Sequence, residues 1–248
     1  MWKRANTGMC KCTNTKGFWT GLLFLCTYLA VKSTDGQARA IQYTNMLNPI
    51  RHLKNTHDVD NMMNLDLLFT ASKLSGDSKY YEVAVKHAQT HQGKNDESAW
   101  SRGQAWGVYG YTSCYRETKD TTFLQEATHI ADMIMQRVKT DDCIPYWDLD
   151  APAGKDTPRD ASAAAVTASA LLELSTFVPD GKKYFDYAET ILKNLSSDHY
   201  LAAKGSNQGF VLMHSTGSLP HGSEIDVPLN YADYYYLEAL QRYQNLTK

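Results

Sequence analysis

The chain lacks any strong imbalance of charge. Its 248 residues carry 25 Lys and Arg against 27 Asp and Glu, a formal net charge of -2, and the basic residues are scattered. A surface that binds nucleic acid or anionic lipid concentrates positive charge on one face. We therefore expect no nucleic acid and no membrane as partner, and a small polar partner fits the composition better.

Cysteine is sparse and irregularly placed, at positions 10, 12, 26, 114 and 143. This odd set matches neither a disulfide framework nor paired zinc ligands. Cys10 and Cys12 would offer a metal only two thiolates, whereas a structural zinc site has four ligands. The sequence therefore predicts reduced thiols, and it implies neither a metal nor an organic cofactor.

No apolar run has the roughly 20 residues that a membrane helix needs. Residues 17–31 are apolar and follow Lys3 and Arg4, as in a signal peptide. Polar residues separate the basic pair from the run, however, and Val31-Lys32-Ser33 is a poor cleavage site. A buried helix and a cytoplasmic protein are the favoured interpretation, with the periplasm as the alternative location.

The chain also lacks a Pro-, Gly- or Ser-rich linker. We therefore predict one domain over residues 1–248, with residues 1–16 as an irregular N-terminal segment. Hydrophobic residues make up 43% of the chain, enough for a sizeable core. The 16 Tyr and 5 Trp outnumber the 7 Phe, and such amphipathic rings suit sugar faces as well as cores.

A helical hairpin pattern recurs four times, each time as an apolar helix, a short turn with Asp and a second helix. The turns lie at residues 33–36, 76–78, 119–121 and 179–181. Their aspartates are 42, 43 and 60 residues apart, which accommodates one antiparallel helix pair and a loop. Alternating β-branched segments are few, so the fold is predicted to be all-α.

Two features favour a closed α/α toroid over an open solenoid. The helices that begin near Asp160 and Asn230 are apolar or small on nearly every side, which predicts burial between two layers. Long loops of polar and aromatic residues recur at one end of the hairpins, where a ring would gather them around a mouth.

Asp58 and Asp60 form the first candidate site, at residues 57–61, just before an apolar stretch. One interpretation is that an aspartate caps the following helix. In the other, a partly buried carboxyl group acts as a general acid because desolvation raises its pKa.

Trp100, Arg102 and Trp106 form the second candidate. Two indoles with an arginine between them offer a stacking face and a fork that grips a carboxylate. The same pattern also fits an ordinary helix start whose tryptophans belong to the core.

The third candidate is the segment 205–224, dense in Gly and Ser, which contains His214, Ser215 and Ser218. Glycine lets the backbone approach a ligand closely, and hydroxyl groups donate to sugar oxygens. A long surface loop is the alternative. A Ser-His-Asp hydrolase fits less well, because no Gly-x-Ser-x-Gly elbow follows a strand.

Together these segments resemble glycoside hydrolase family 88, the unsaturated glucuronyl hydrolases. The matching blocks run in family order. They are Phe-Trp-Thr-Gly (18–21), His-Asp (57–58), Val-Asp-Asn-Met-Met-Asn-Leu (59–65), His-Gln-Gly (91–93), residues 100–106, Pro-Tyr-Trp-Asp-Leu-Asp-Ala-Pro (145–152), Arg-Asp-Ala-Ser-Ala-Ala-Ala (159–165) and Ser-Glu-Ile-Asp-Val-Pro-Leu-Asn-Tyr-Ala-Asp (223–233).

The resemblance implies a six-hairpin α/α toroid. It also implies an enzyme that hydrates the C4–C5 double bond of the unsaturated uronic acid left by polysaccharide lyases on glycosaminoglycan fragments. The substrate partner would be an unsaturated uronic-acid oligosaccharide, and the hydrated product would rearrange and release the unsaturated uronate from its partner sugar.

The resemblance further implies roles for individual residues. Asp60 takes the position of the acid/base, and Asp58 that of its essential companion. The expected substrate-binding residues are Trp19, Gln92, Arg102, Trp106, Ser215 and Ser218. The two serines resemble a pair that some members use around a sulfate group, but those members continue with Lys where this chain has Pro220.

The chain departs from the family in two segments. Family members place a helical hairpin between the two aspartates, whereas Asp58 and Asp60 are two residues apart here. A second segment, which normally carries a further substrate-site His, is absent between Thr90 and His91. We therefore expect an incomplete toroid that lacks at least one hairpin, with activity that these deletions impair.

Two alternatives remain open from the sequence. A rhamnogalacturonyl hydrolase of the related toroid family would act on unsaturated galacturonate joined to rhamnose, although residues 102–106 and 223–229 fit the glucuronyl type better. An inactive carbohydrate-binding remnant left by deletions is the other.

Overall fold

The structure, a computed structural model, describes Met62, residues 65–90 and residues 99–248. In this part of the chain we number seven α-helices. They are α1 (Leu65–Ser75), α2 (Ser78–Thr90), α3 (Ser101–Thr118), α4 (Thr121–Arg137), α5 (Ala161–Leu174), α6 (Lys182–Leu195) and α7 (Asn230–Leu246). Single-turn 3-10 helices lie at Asn207–Gly209 and Leu219–His221. The described residues form isolated antiparallel pairs but no β-strand, so the all-α prediction is confirmed for them.

The helices pack as alternating layers. Each odd-numbered helix packs against the next odd-numbered one, and α2, α4 and α6 each cover the helix that precedes them. Helices α3, α5 and α7 run in parallel. Arg102 in the first turn of α3 contacts Tyr231 in the first turn of α7, and Arg116 in the last turn of α3 pairs with Glu173 near the end of α5. The predicted hairpins at residues 65–88, 108–135 and 168–195 are confirmed.

Helix α5 explains why the layers pack so closely. Its sequence, ASAAAVTASALLEL, is rich in Ala, the best helix former, and 13 of its 14 residues are buried. Small side chains on every face let α3 and α7 approach it from both sides. The predicted burial of this helix between two layers is therefore confirmed. The same prediction is wrong for α7, in which only Ala232, Tyr235, Tyr236 and Ala239 are buried and Leu237 is 56% exposed.

Aspartate caps the second helix at two of the described turns but not at the third. Asp77 accepts a hydrogen bond from the N–H of Lys79 (3.0 Å), and Asp120 accepts one from the N–H of Thr122 (2.9 Å). At α6 the N-cap is Gly181 instead of Asp180. A Cβ on Gly181 would lie 1.9 Å from the carbonyl oxygen of Ser175, so only glycine fits where this turn crosses the end of α5.

Charged side chains join the last turns of α3 and α5 to α7 and to the first turn of α1. Glu173 on α5 accepts hydrogen bonds from Arg116 on α3 (2.7 Å) and from Arg242 on α7 (2.8 Å). Arg116 also pairs with Asp66 on α1. One carboxylate therefore compensates two partly buried guanidinium groups and ties three helices together.

Glu173→Gln is expected to lower the free energy of unfolding by about 3 kcal/mol, because it leaves two arginines facing each other without their shared carboxylate. The melting temperature should fall by roughly 6–12 °C. Asp186→Asn is the matched control, since it breaks the exposed pair with Lys182 and should cost under about 1 kcal/mol. Equal losses in the two variants, measured by urea denaturation, would contradict this account of Glu173.

No helix among the described residues has the length and apolar character that crossing a bilayer requires.

Candidate functional site

The first turns of α3, α5 and α7 meet at one end of the helix layers. Arg102 comes from α3, Asp160 caps α5 and Tyr231 comes from α7. The long connections after α4 and α6 lie at the same end. In the connection after α4, residues 147–149 pair with residues 99–101 at the start of α3. In the connection after α6, the backbone carbonyl of His214 accepts a hydrogen bond from the N–H of Ala161 at the start of α5 (3.0 Å). The predicted gathering of polar loops at one end of the hairpins is therefore observed.

Arg102 is held at the centre of this end and is only 8% exposed. Its Nη1 donates to the hydroxyl of Tyr231 (2.8 Å) and to the carbonyl of Thr216 (3.4 Å). The guanidinium carbon lies 4.2 Å from the ring centroid of Trp100, a cation–π contact. These contacts fix the plane of the guanidinium, which a bidentate interaction with a carboxylate requires.

Asp160 ties the loop that follows α6 to the start of α5. Its Oδ1 accepts from the backbone N–H of Ser162 (3.0 Å) and of Thr216 (3.3 Å). Because the carbonyl of Thr216 accepts from Arg102, one residue of this loop links Asp160 to Arg102. Oδ2 of Asp160 is buried and has no hydrogen-bond partner among the described residues.

Burial raises the pKa of the Asp160 carboxyl above its ordinary value, although Arg102 and the donors on Oδ1 oppose the shift. A carboxyl whose pKa is higher in the folded state stabilises the fold while it is protonated. That contribution is present at low pH and is lost as the pH rises through the raised pKa.

Asp160→Asn keeps an oxygen acceptor but removes the titration. The unfolding free energy of the wild type, taken relative to this variant, should therefore decrease from about pH 4 to pH 8, by at most about 1.4 kcal/mol per pH unit. Urea denaturation of both proteins across this range measures the difference. A difference that is constant, or that grows with pH, would contradict the assignment.

The two predicted serines lie on one short hairpin. Ser215 pairs with Val227, and Ser218 pairs with Ser223. Ser215 is 0% exposed, and its hydroxyl has no hydrogen-bond partner in the described part of the chain. Ser218 is partly exposed.

Trp106 is 2% exposed and lies between α3 and α7. Its indole contacts the rings of Tyr231 and Tyr235, with centroids 6.0 Å and 5.0 Å away. Arg102 and Trp106, one helical turn apart, both contact Tyr231 and so share one face of α3. Direct contact between this indole and a substrate stays a prediction, and it would require the surrounding rings to move.

Four predicted site residues lie outside the described residues, namely Trp19, Asp58, Asp60 and Gln92. Of the four that the structure describes, Arg102 and Trp106 both contact Tyr231, and Arg102 contacts Thr216, the residue after Ser215. Ser218 lies farther along the same hairpin. No group of His, Cys, Asp or Glu in the described ranges is arranged to hold a metal ion.

Sequence reasoning missed Tyr231 and Thr216, which both accept hydrogen bonds from Arg102. Tyr231 lies within the block 223–233 that carries the family resemblance, and Thr216 lies between the two predicted serines. Both positions had a signal, but neither local sequence shows that it contacts an arginine more than 100 residues earlier.

Comparisons with known proteins place these residues in context. A family model for glycosyl hydrolase family 47 matches residues 107–218. This match does not confirm the predicted family number.

Among curated proteins, an unsaturated glucuronyl hydrolase of Formosa agariphila is 43% identical, over 76% of this chain and 54% of its own length. The chain therefore spans about half the length of this relative.

Solved structures agree with this similarity. An unsaturated glucuronyl hydrolase specific for heparin is 50% identical, with a TM-score of 0.72, over 76% of this chain and 59% of its own. A mutant unsaturated glucuronyl hydrolase of Streptococcus agalactiae complexed with dGlcA-GalNAc6S is 26% identical, with a TM-score of 0.71, over 93% of this chain and 81% of its own. Over about three-quarters of its length, the chain is thus similar in both sequence and fold to the unsaturated glucuronyl hydrolases, which are α/α toroid proteins.

Proposed function

We propose that the chain is a glycoside hydrolase that hydrates the C4–C5 double bond of unsaturated glucuronic acid at the end of lyase-generated glycosaminoglycan oligosaccharides. One observation carries the proposal. Arg102, almost fully buried, is oriented by Tyr231, Thr216 and Trp100 at the end of the helix layers where the loops meet. A planar cation beside aromatic rings suits a sugar that carries a carboxylate.

The chemistry adds one water across the double bond. A proton goes to C4 and a hydroxyl group to C5, which gives a hemiketal. The C5–O5 bond then breaks to form a ketone at C5 and a hemiacetal at C1, and the hemiacetal collapses to an aldehyde and the free partner sugar. The enzyme therefore has to supply a proton at C4 and activate a water at C5.

In this proposal Asp60 donates the proton and then helps to activate water, and Asp58 is its companion. Arg102 binds the uronate carboxylate bidentately, Gln92 contacts the sugar, and Trp19 and Trp106 wall the ring. Ser215 and Ser218 face the partner sugar. The reaction requires no metal or organic cofactor, since proton transfer and carboxylate recognition use side chains alone.

We also place the chain in glycoside hydrolase family 88, with residues 1–248 as a single catalytic α/α toroid located in the cytoplasm. The closeness of Asp58 and Asp60 in the sequence and the missing segment before His91 support a toroid that lacks at least one hairpin. Impaired activity would follow if the two carboxylates do not converge.

The experiment uses three disaccharides, namely an unsaturated glucuronyl disaccharide from chondroitin or hyaluronan, unsaturated galacturonyl-rhamnose and a saturated glucuronyl disaccharide. Mass spectrometry should show release of the partner sugar from the first only. Release from the second alone would assign the chain to the rhamnogalacturonyl type. Release from none would identify an inactive remnant.

A further inference from the structure

Asp160 is a buried carboxyl group with one oxygen in use and one to spare. The residue is 0% exposed. Its Oδ1 accepts from the hydroxyl of Ser162 (2.5 Å) and from the backbone N–H groups of Ser162, Ala163 and Thr216. Its Oδ2 has no hydrogen-bond partner among the described residues. Capping α5 therefore uses Oδ1 alone and leaves Oδ2 able to take a proton without breaking any of these bonds.

Thr216 connects this carboxyl group to Arg102. Its N–H donates to Oδ1 of Asp160 (3.3 Å), and its carbonyl accepts from Nη1 of Arg102 (3.4 Å). Its hydroxyl donates to the carbonyl of Arg159 (2.9 Å), so two bonds to consecutive residues fix the direction of Thr216. The N and O atoms of one residue are under about 4 Å apart, which places the guanidinium within about 11 Å of the carboxyl group.

Arg102 is also the charged side chain that acts most strongly on Asp160. Burial raises the pKa of the Asp160 carboxyl, and the positive charge of Arg102 is the largest of the effects that oppose the shift. Other charged or titratable side chains on the elements around the start of α5 have contacts of their own. They are Arg159 with Asp142, His214 with Asp226, Asp148 with the N–H of Asp150, Asp233 with the N–H groups of Val211 and Leu212, Tyr231 with Arg102, and Glu224 beside Gly217.

We propose that Asp160 is a positioning residue that acts on Arg102 through Thr216, and that a carboxylate bound by Arg102 is bound together with a proton at Asp160. The inference rests on the proposed function, because it takes Arg102 to bind the uronate carboxylate. That carboxylate compensates the charge of Arg102 and so weakens the effect that favours the ionised form of Asp160. The proton comes from solvent and forms an O–H bond at Oδ2, so the net charge of this region is the same before and after binding.

The proposed coupling gives the affinity a pH dependence of definite sign. Binding that takes up a proton weakens as the pH rises through the pKa of Asp160 in the free protein, and it is independent of pH below that value. The Kd of a uronate ligand should therefore increase by at least about threefold between about pH 4 and pH 8, and by no more than about tenfold per pH unit.

The experiment measures binding of an unsaturated glucuronyl disaccharide by calorimetry, at several pH values and in buffers of different ionisation enthalpy, which gives the number of protons taken up. The parent protein carries Asp60→Asn, because this substitution removes another titrating carboxyl group and should slow turnover. We expect uptake of roughly 0.3–1 proton per disaccharide at the pH of largest uptake, and none for its methyl ester, which has no charge to compensate Arg102.

Two substitutions in this parent separate the charge of Asp160 from its hydrogen bonds. Asp160→Asn keeps an acceptor for Thr216 but has no charge, so its Kd at low pH should stay within about threefold of the parent, and the proton uptake should disappear. Asp160→Ser still caps α5, since serine is a preferred N-cap, but its shorter side chain does not reach Thr216. Its Kd should increase at least about tenfold at every pH, while binding of the methyl ester is unchanged.

Two further substitutions are controls. Asp120→Asn changes the matched aspartate cap of α4 and should leave both the Kd and the proton uptake unchanged. His214→Asn removes the imidazole that contacts Asp226 and should retain the uptake.

The outcomes distinguish the inference from the function on which it rests. Uptake that persists in Asp160→Asn, that disappears in His214→Asn, or that is absent from a parent that binds the disaccharide would overturn the proton coupling alone. An Asp160→Ser protein that binds as tightly as the parent would overturn the positioning role. Uptake at Asp160 by a chain whose wild type does not hydrate the double bond would support the inference and overturn the proposed function. No binding of the disaccharide would overturn both.

Discussion

Asp60→Asn is expected to lower the rate of double-bond hydration by a factor of at least about 10², because an amide can neither donate the proton to C4 nor accept one from water. Asparagine has nearly the same shape, so the fold should be retained. The measurement is the decrease in absorbance of the conjugated double bond, followed with an unsaturated glucuronyl disaccharide, and circular dichroism checks the helix content.

Asp58→Asn tests whether the shortened segment has kept the companion role. A comparable loss in this variant would mean that the two carboxylates act together although they are only two residues apart. An Asp60→Asn protein that hydrates the substrate as fast as an active wild type would show that Asp60 is not the acid.

Arg102→Lys is expected to reduce kcat/KM roughly 10- to 150-fold, since a hydrogen bond to a charged group contributes about 1.5–3 kcal/mol. Lysine keeps the charge but loses the planar fork that Tyr231 and Thr216 orient. Because the carboxylate is bound both before and during the reaction, the loss should appear mainly as a higher KM.

Arg137→Lys is the matched control, because Arg137 pairs with the exposed carboxylate of Asp150. Its kinetic constants should remain within about twofold of the wild type, as expected for an exposed pair. If Arg102→Lys has an unchanged KM for the unsaturated disaccharide, Arg102 does not bind the carboxylate.

The helices were predictable because their signals are local. The starts of α2 and α4 are indicated by apolar spacing and by an aspartate that accepts a hydrogen bond from the backbone N–H two residues later. The Ala-rich sequence of α5 predicts burial on all sides. The cap at α6 could not be predicted in the same way. Gly181 is required there by the nearby carbonyl of Ser175, a contact that depends on how two helices meet.

The partners of Arg102 and Glu173 illustrate the limit for the site and the core. A single sequence shows that an arginine lies one turn from a tryptophan, but only the parallel packing of α3 and α7 brings Tyr231 to Arg102. Likewise, Glu173 looks like an ordinary helix residue until α3 and α7 each bring an arginine to it. Such contacts depend on the register of neighbouring helices, which hydrophobic periodicity does not specify.

The position of the Glu224 carboxylate, which occupies the space beside Gly217, has a similar origin. The Gly and Ser content of residues 205–224 predicts a segment that can approach a ligand, but the left-handed conformation of Glu224 appears only once the hairpin pairs are known. The Gly and Ser content thus indicates the loop, whereas the position of the Glu224 carboxylate depends on the extra residue between the pairs Ser215–Val227 and Ser218–Ser223.

The most direct test of the account is the absorbance of the conjugated double bond of an unsaturated glucuronyl disaccharide, followed over time with the purified full chain. The account predicts that the absorbance falls with the wild type and that one partner sugar is released for each double bond lost. An absorbance that stays constant on every unsaturated glucuronyl disaccharide, with folded protein, would contradict it.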